Sequence, residues 1–404
     1  MRLRLPALDW PLFLATVGLI VMGLLTVYSA TSIPGAHEGL WLKQLMWCGI
    51  AFVFAWVIAA IHFRLYDSLA WPLYALSLLL LAAVLVIGTT KLGAKRWIVL
   101  GGLQFQPSEF AKLATTFVLA RYFDDSRLKL GTLRGWVPPL LIALVPFALV
   151  AKEPDLGTAL SIPAMLIAMY FWAGMPLGRL LLGLSPVFNV ALFFVTGSVW
   201  WFAGLFAALL AAVRPRLVLL VTMLALNAVV AAELPRLWNH LHDYQKRRIE
   251  TFINPDHDPY GSGYQIIQSK IAIGSGGVIG KGYLKGTQKA LSFLPMRHTD
   301  FIYSVVGEEL GFLGSLTVVL LYVVVIVRGY RLAANARDGF AGLLVVGVVT
   351  ALFFTIMVNM LMTVGWAPVT GIPLPFLSYG GTALVVNCVQ IGLLQNVALR
   401  RREY

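Results

Sequence analysis

Long stretches of apolar residues dominate the chain, separated by short polar punctuation. They fall near 10–31, 41–62, 67–88, 107–123, 137–151, 157–175, 180–199, 201–213, 216–238, 300–327, 340–362 and 378–398. An α-helix needs about 20 apolar residues to cross a hydrocarbon core, fewer where it is bent or re-entrant. The runs are continuous rather than alternating, which excludes a transmembrane barrel with one polar face on every strand. Backbone amides in lipid must be satisfied within the spanning element, so the predicted architecture is a bundle of helices. The fold class read from the pattern is all-α. It is a polytopic helical membrane bundle of 10–12 spans with a large extracytoplasmic loop and no separate soluble domain.

Composition removes the alternatives. Of 404 residues 59% are hydrophobic and 12% charged, about half the usual charged share, which leaves too little charge for a soluble shell. Disordered chains are poor in apolar residues, so disorder is excluded too. The net charge of +13 would suggest nucleic acid in a soluble chain, but here it is the Lys and Arg excess of cytoplasmic loops, and no nucleic-acid partner is expected. Arg2 and Arg4, Arg64, Arg127 to Arg134, Arg179, Arg214 and Arg216, Arg328 to Arg337, and Arg400 to Arg402 share one side if both termini are cytoplasmic. The expected location is therefore a membrane crossed many times, with both termini cytoplasmic. No cleavable signal is read at the N-terminus. Cys48 and Cys388 lie in apolar runs and suggest neither a disulfide framework nor a zinc cluster.

Two segments carry bases on the opposite side. Segment 89–106 holds Lys91, Lys95 and Arg96, and segment 239–299 holds eight more, among them Lys270, Lys281, Lys289 and Arg297. Long outer regions escape the positive-inside rule, so these bases are either without consequence or gathered around an anionic substrate such as a phosphorylated lipid headgroup. Ionisable groups within the membrane mark candidate sites. Glu109 and Lys112 share a helix face three residues apart and can neutralise one another, as a structural pair or as part of a site. Lys152, Glu153 and Asp155 stand in a gap broken by Pro154 and Gly157, either a broken helix lining a cavity or a tight turn. Glu308 and Glu309 lie inside a span and need water, cations or bonded donors.

The richest stretch is 250–300. Its Asn254-Pro255-Asp256-His257-Asp258-Pro259 loop offers carboxylates able to act as a general base. Gly274, Gly276, Gly277 and Gly280 permit close backbone approach, but they match neither a P-loop nor a Rossmann turn. No HExxH or GxSxG occurs, so zinc and an activated serine are not indicated. A divalent cation, magnesium or manganese, is compatible with oxygen-rich loops beside a diphosphate. Residue chemistry alone leaves a transporter, an enzyme acting on a lipid-linked anion, and an assembly scaffold open.

Five motifs narrow the choice: GAKRWIVLGGLQFQPSEFAKL (93–113), KEPDLGTAL (152–160), DPYGSGYQIIQSKIAIGSGG (258–277), GTQKALSFLPMRHTDFIYSVVGEELG (286–311) and GIPLPFLSYGGT (371–382). In this order they resemble the SEDS family of RodA, FtsW and SpoVE, and GSGGVIGKG with FLPMRHTDF is most similar to the RodA branch. The resemblance implies a peptidoglycan glycosyltransferase of cell elongation. It would polymerise lipid II, a disaccharide-pentapeptide on undecaprenyl diphosphate, beside a class B penicillin-binding protein and the elongation machinery. Lipid II flippase is the alternative the family suggests. Matched onto the family's motif, Asp258 is the catalytic aspartate. Arg96, Glu109, Lys112, Lys152, Asp155, Gln265, Ser269, Lys289, His298, Asp300 and Ser378 match as substrate-binding candidates. The resemblance also implies one transmembrane domain over 1–404, with 239–299 as the catalytic loop. Family members usually have ten spans, so 176–238, with room for three runs, is expected to hold either an extra helix pair or a re-entrant part that keeps the count at ten.

Overall fold

In the computed structural model, residues 8–32, 39–91, 94–100, 103–125, 130, 133–153, 155–196, 200–213, 217–240, 246, 251–252, 262–287 and 296–400 are described. Helices α1 (Trp10–Thr31), α2 (Leu40–Ala60) and α3 (Phe63–Ile87) lead into strands β1 (Thr89–Lys91), β2 (Ala94–Leu100) and β3 (Leu103–Phe105). Then follow α4 (Pro107–Asp124), α5 (Leu133–Lys152), α6 (Leu156–Trp172), α7 (Leu177–Thr196), α8 (Trp200–Val213) and α9 (Leu217–His240). The chain closes with α10 (Ser262–Ser275), α11 (Ile302–Ala334), α12 (Gly339–Thr363) and α13 (Gly381–Leu399).

Every apolar run of the sequence is a helix, with ends shifted by a few residues. Among the described residues seven helices (α1, α2, α3, α5, α11, α12 and α13) are long and apolar enough to cross a membrane, and shorter apolar helices lie within α6 to α9. The helical bundle is as expected, and the described residues add to it helix α10 and a small sheet. The three strands form a small antiparallel sheet in the order β1-β2-β3, with Thr89 opposite Trp97 and Ile98 opposite Phe105. The β-branched pair Ile98-Val99 suits a strand, and Gly101-Gly102, which follows it in the sequence, has hairpin-turn composition.

Helix α12 is the central post, packed by α4, α6, α11 and α13. Helix α4 beside it is buried nearly all round although it carries Ser108, Glu109, Lys112, Thr115 and Thr116. Its hydroxyls close on the helix itself, Thr115 donating to the Ala111 carbonyl at 2.7 Å and Thr116 to that of Lys112 at 2.8 Å. Pro107 opens this helix, where a missing amide hydrogen costs nothing. Helices α8 and α9 both pack on α7, which reaches the bundle through α6 and through Trp136 of α5, which fills the space over Gly183.

At the end of the bundle holding the termini, Asp9 caps α1 by accepting from the Leu12 amide at 3.1 Å. It also takes the Arg328 guanidinium at 2.5 Å, and its backbone N–H and C=O bond the side-chain amide of Gln395, so α1, α11 and α13 are tied together.

Helix α11 is discontinuous. Gly311 has φ 65° and ψ −159°, and the helix resumes beyond it. The backbone groups freed there are met by the turn after α10. The Phe312 and Leu313 amides donate to the Gly277 and Val278 carbonyls at 2.9 and 3.1 Å. In return the Lys281 and Gly282 amides donate to the Glu308 and Glu309 carbonyls, both at 3.0 Å. Irregular backbone at membrane depth is tolerated only where protein satisfies it in this way. The same turn supplies the donors that the paired carboxylates require. Glu308 accepts from Lys281 Nζ at 2.8 Å and from the Thr287 amide at 2.7 Å. Glu309 accepts from Ser29 Oγ at 2.7 Å and from the Gly286 amide at 3.3 Å. These two carboxylates are structural anchors.

Candidate functional site

The sheet, the α5–α6 gap, the start of α11 and the α12–α13 connection all lie at one end of the bundle, because they join successive spans of the same parity. Asp155 is the N-cap of α6, its Oδ1 accepting from the Thr158 amide at 3.3 Å. Its other oxygen accepts from Gln106 Nε2 at 2.9 Å, and Gln106 also reaches Ser108 Oγ at 3.1 Å, joining the starts of α4 and α6. Arg96 leans in from β2. Its Nε donates to the Glu153 carbonyl at 3.1 Å, and its guanidinium lies 3.8 Å from Asp155. Glu153 is fully buried, and neither of its carboxyl oxygens has a hydrogen-bond partner. Burial, reinforced by neighbouring Asp155 and opposed by Arg96, pushes its carboxyl up to about 8. Lys152 ends α5 and is exposed. Glu109 and Lys112, in the first turns of α4, are buried and paired at 2.9 Å.

A second group surrounds the turn before α11. Ser378 Oγ donates to the Thr299 carbonyl at 2.6 Å and accepts from the Leu374 amide at 2.7 Å. The Tyr379 amide donates to the His298 carbonyl at 2.9 Å, and their rings lie 6.0 Å apart. Gln44 of α2 donates to the Ser378 carbonyl and accepts from the Gly380 amide, both at 3.2 Å. Arg297 is buried and donates to the Ala30 carbonyl at 2.9 Å; burial lowers its pKa from the usual value. Ser269 of α10 meets Ser304 Oγ and the Thr363 carbonyl, each at 2.6 Å, which ties α10 to α11 and α12. Gln265 is half-buried on the same helix α10.

Residues 370–372 run between the two groups. Gly157 at the start of α6 packs so closely on Ile372 that a Cβ there would stand 2.2 Å from its side chain. Gly371, with φ 75°, faces Asp300, whose Oδ2 would lie 3.5 Å from a Cβ at that position. Asn359 of α12 bridges the assembly, donating to the Asp300 carbonyl at 2.9 Å and to the Ile372 carbonyl at 2.7 Å. Arg96 and Asp155 are thereby gathered with His298, Asp300 and Ser378 at one mouth of the bundle. Asp258 and Lys289 lie outside the described residues. Among the described residues no group of three or more His, Cys, Asp or Glu converges as a metal ligand set.

Reading the sequence by charge and motif missed Gln44, Gln106 and Asn359, and singled out Glu153 only as punctuation. The amides carry no charge to flag them, and their partners lie elsewhere in the chain: backbone groups for Gln44 and Asn359, the Asp155 carboxylate for Gln106. Their one visible signal is a polar side chain in or beside an apolar run.

The family model described as a cell cycle protein, spanning FtsW, RodA and SpoVE, matches residues 9–403. The peptidoglycan glycosyltransferase MrdB of Escherichia coli K12 is 37% identical over 396 residues, covering 98% of this chain and 94% of MrdB. A probable peptidoglycan glycosyltransferase FtsW of Trichlorobacter lovleyi is 36% identical over 403 residues, with 98% and 94% covered. Among solved structures, a chain from a peptidoglycan synthase complex that coordinates polymerization and crosslinking superposes with a TM-score of 0.74 at 32% identity, covering 98% of this chain and 99% of that one. The rod shape determining protein RodA of Thermus thermophilus superposes with a TM-score of 0.65 at 28% identity, with 98% of each chain covered. With the shared motifs, the common helical bundle and near-complete coverage on both sides, the chain belongs to the FtsW/RodA/SpoVE family of cell cycle proteins.

Proposed function

We propose that this protein is a peptidoglycan glycosyltransferase of the RodA kind that polymerises lipid II. The observation that carries the reading is the convergence of Arg96, Asp155, His298, Asp300 and Ser378 around residues 370–372, in a chain whose full-length relatives bear that activity in their names. The site end faces outward, both termini are cytoplasmic, and the membrane is the bacterial inner membrane. Positively charged loops at the opposite end support this orientation.

In the reaction the 4-hydroxyl of an acceptor sugar attacks the anomeric carbon of the donor as undecaprenyl diphosphate departs. Asp258 takes the hydroxyl proton; general bases of this kind contribute about 10²–10⁴-fold. Direct displacement inverts the α-linked donor to a β-1,4 glycan. Negative charge grows on the departing diphosphate, and Arg96, Lys289 and the other bases of this end stabilise it. The ties of Ser269, Ser378 and Asn359 hold the framework still, so little reorganisation is needed as charge develops. A divalent cation beside the diphosphate would supply the same stabilisation; the described residues present no ligand set for one. A class B penicillin-binding protein crosslinks the product, in keeping with the match to a synthase complex. Segment 239–299 is the catalytic loop, and two of the three helices in 176–238 are a peripheral addition to a ten-span core.

The test is polymerisation of labelled lipid II by purified protein with and without a class B penicillin-binding protein, resolved on a gel beside Asp258→Ala. The expected result is a glycan ladder that the substitution removes. No ladder from folded protein with its partner present would favour a flippase, and a ladder surviving in Asp258→Ala would sink the choice of base.

A further inference from the structure

Glu153 stands apart from the candidates that motif matching supplies. It is the buried carboxyl with both oxygens unsatisfied, an arrangement costly for the ion and tolerable for the neutral acid. Its own backbone carbonyl receives Arg96 Nε at 3.1 Å, so the Arg96 guanidinium is already within the residue's reach. That guanidinium is shared with Asp155 at the wider distance of 3.8 Å. Two carboxyl groups and one cation therefore compete at the junction of β2, α5 and α6.

The charged surroundings are few among the described residues. Helices α3, α4 and α6 pack against α5. Asp155 caps α6, which carries no charge within its own span. On α4, Glu109 and Lys112 are paired with each other, while Arg121 reaches Asp67 of α3 at the opposite end of the bundle. Lys152 and Lys95 are exposed. Asp155 raises the Glu153 carboxyl and Arg96 lowers it.

We propose that Glu153 is a positioning residue kept as the neutral acid, whose proton leaves Arg96 aligned with Asp155 and whose ionisation draws the guanidinium away from it. The inference rests on the glycosyltransferase reading for its consequence and on geometry alone for its protonation. Arg96 is among the bases assigned to the departing diphosphate, so withdrawing it slows turnover. Buried neutral acid also explains why two unpartnered oxygens are tolerated here: Asp155 already holds the local positive charge.

Two measurements separate the inference from the function it builds on. In the first, infrared spectra of the reconstituted full-length protein at pH 7 are compared with Glu153→Gln. A protonated-carboxyl C=O stretch lost in the variant is expected, and its absence from the wild type overturns the proposal whatever the protein catalyses. In the second, lipid II polymerisation is followed from pH 7 to pH 10 with the partner present, and thermal stability is recorded at each pH. Wild-type kcat is expected to fall about tenfold across an alkaline limb while the protein stays folded. Glu153→Gln, the shape of the neutral acid, should hold its kcat over the same range. Parallel limbs in wild type and Glu153→Gln would overturn the positioning role. An absent ladder with the infrared band present would instead fault the glycosyltransferase reading.

Discussion

The break in α11 can be probed at a single atom. Gly280 has φ 82°, and a Cβ added there would stand 2.1 Å from the Glu309 carbonyl oxygen and 2.7 Å from the Gly311 nitrogen. A left-handed backbone costs a residue with a Cβ about 1–2 kcal/mol. The collision also forces apart the strand-like exchange in which the Lys281 and Gly282 amides meet the Glu308 and Glu309 carbonyls. Leaving those two buried bonds unmade adds about 1–3 kcal/mol each, so Gly280→Ala should cost roughly 3–8 kcal/mol in all. Gly277 supplies the control, since its φ is 57° and nothing lies within 4 Å of an added Cβ. Gly277→Ala should therefore cost about 1–2 kcal/mol, the backbone share alone. Thermal unfolding in detergent, followed by fluorescence-detected gel filtration, ranks the two variants against the parent. Equal losses, or a Gly280→Ala protein as stable as the parent, would refute the close approach.

Further outcomes follow from the buried charges. Glu109→Met or Lys112→Met alone strands one charge inside the bundle and should cost about 3–5 kcal/mol, seen as loss of monodisperse protein, whereas the double replacement should recover most of it; a double variant no better than either single would deny the pair. For Glu153 the carboxyl rises from 4.5 to about 8 on folding, so the folded protein binds the extra proton between those values and gains stability as pH falls. At ~1.4 kcal/mol per pH unit, Glu153→Gln should unfold at a higher temperature than the parent at pH 9, with the difference shrinking toward pH 4.5; a pH-independent difference would count against the buried acid.

The helices were legible because a hydrocarbon core imposes one length and one polarity on anything that crosses it. That rule located even α7, α8 and α9, whose apolar runs are separated by little more than Gly197-Ser198 and Arg214-Pro215-Arg216. The gap at 152–155 was legible as a gap; the capping of α6 by Asp155 at its end was not. The partners of Glu308 and Glu309 were not legible. Besides Lys281 Nζ and Ser29 Oγ, they are backbone amides of residues 284, 286 and 287, brought there by the turn that meets the break of α11 at Gly311. The amides Gln44, Gln106 and Asn359 escaped for a related reason: a polar side chain in an apolar run announces a need without naming its partner. Ser269 and Ser378, found by motif, prove to be fastened to backbone carbonyls.

Helix α4 is buried on nearly every side and is not among the helices long and apolar enough to cross a membrane on their own account. During synthesis it leaves the ribosome long before α12 and α13 exist to enclose it. A charge at the centre of a lone helix costs about 2.5–3.5 kcal/mol on insertion scales; Glu109 and Lys112 stand in the first turns of α4, and their pair reduces the smaller cost there from the moment those turns form. Helix α3, its immediate predecessor and a major packing neighbour, is the first surface that can shelter it. The pair thus serves biogenesis as well as the finished protein: it lets a polar helix wait in the bilayer, beside α3, until the end of the chain arrives to close around it.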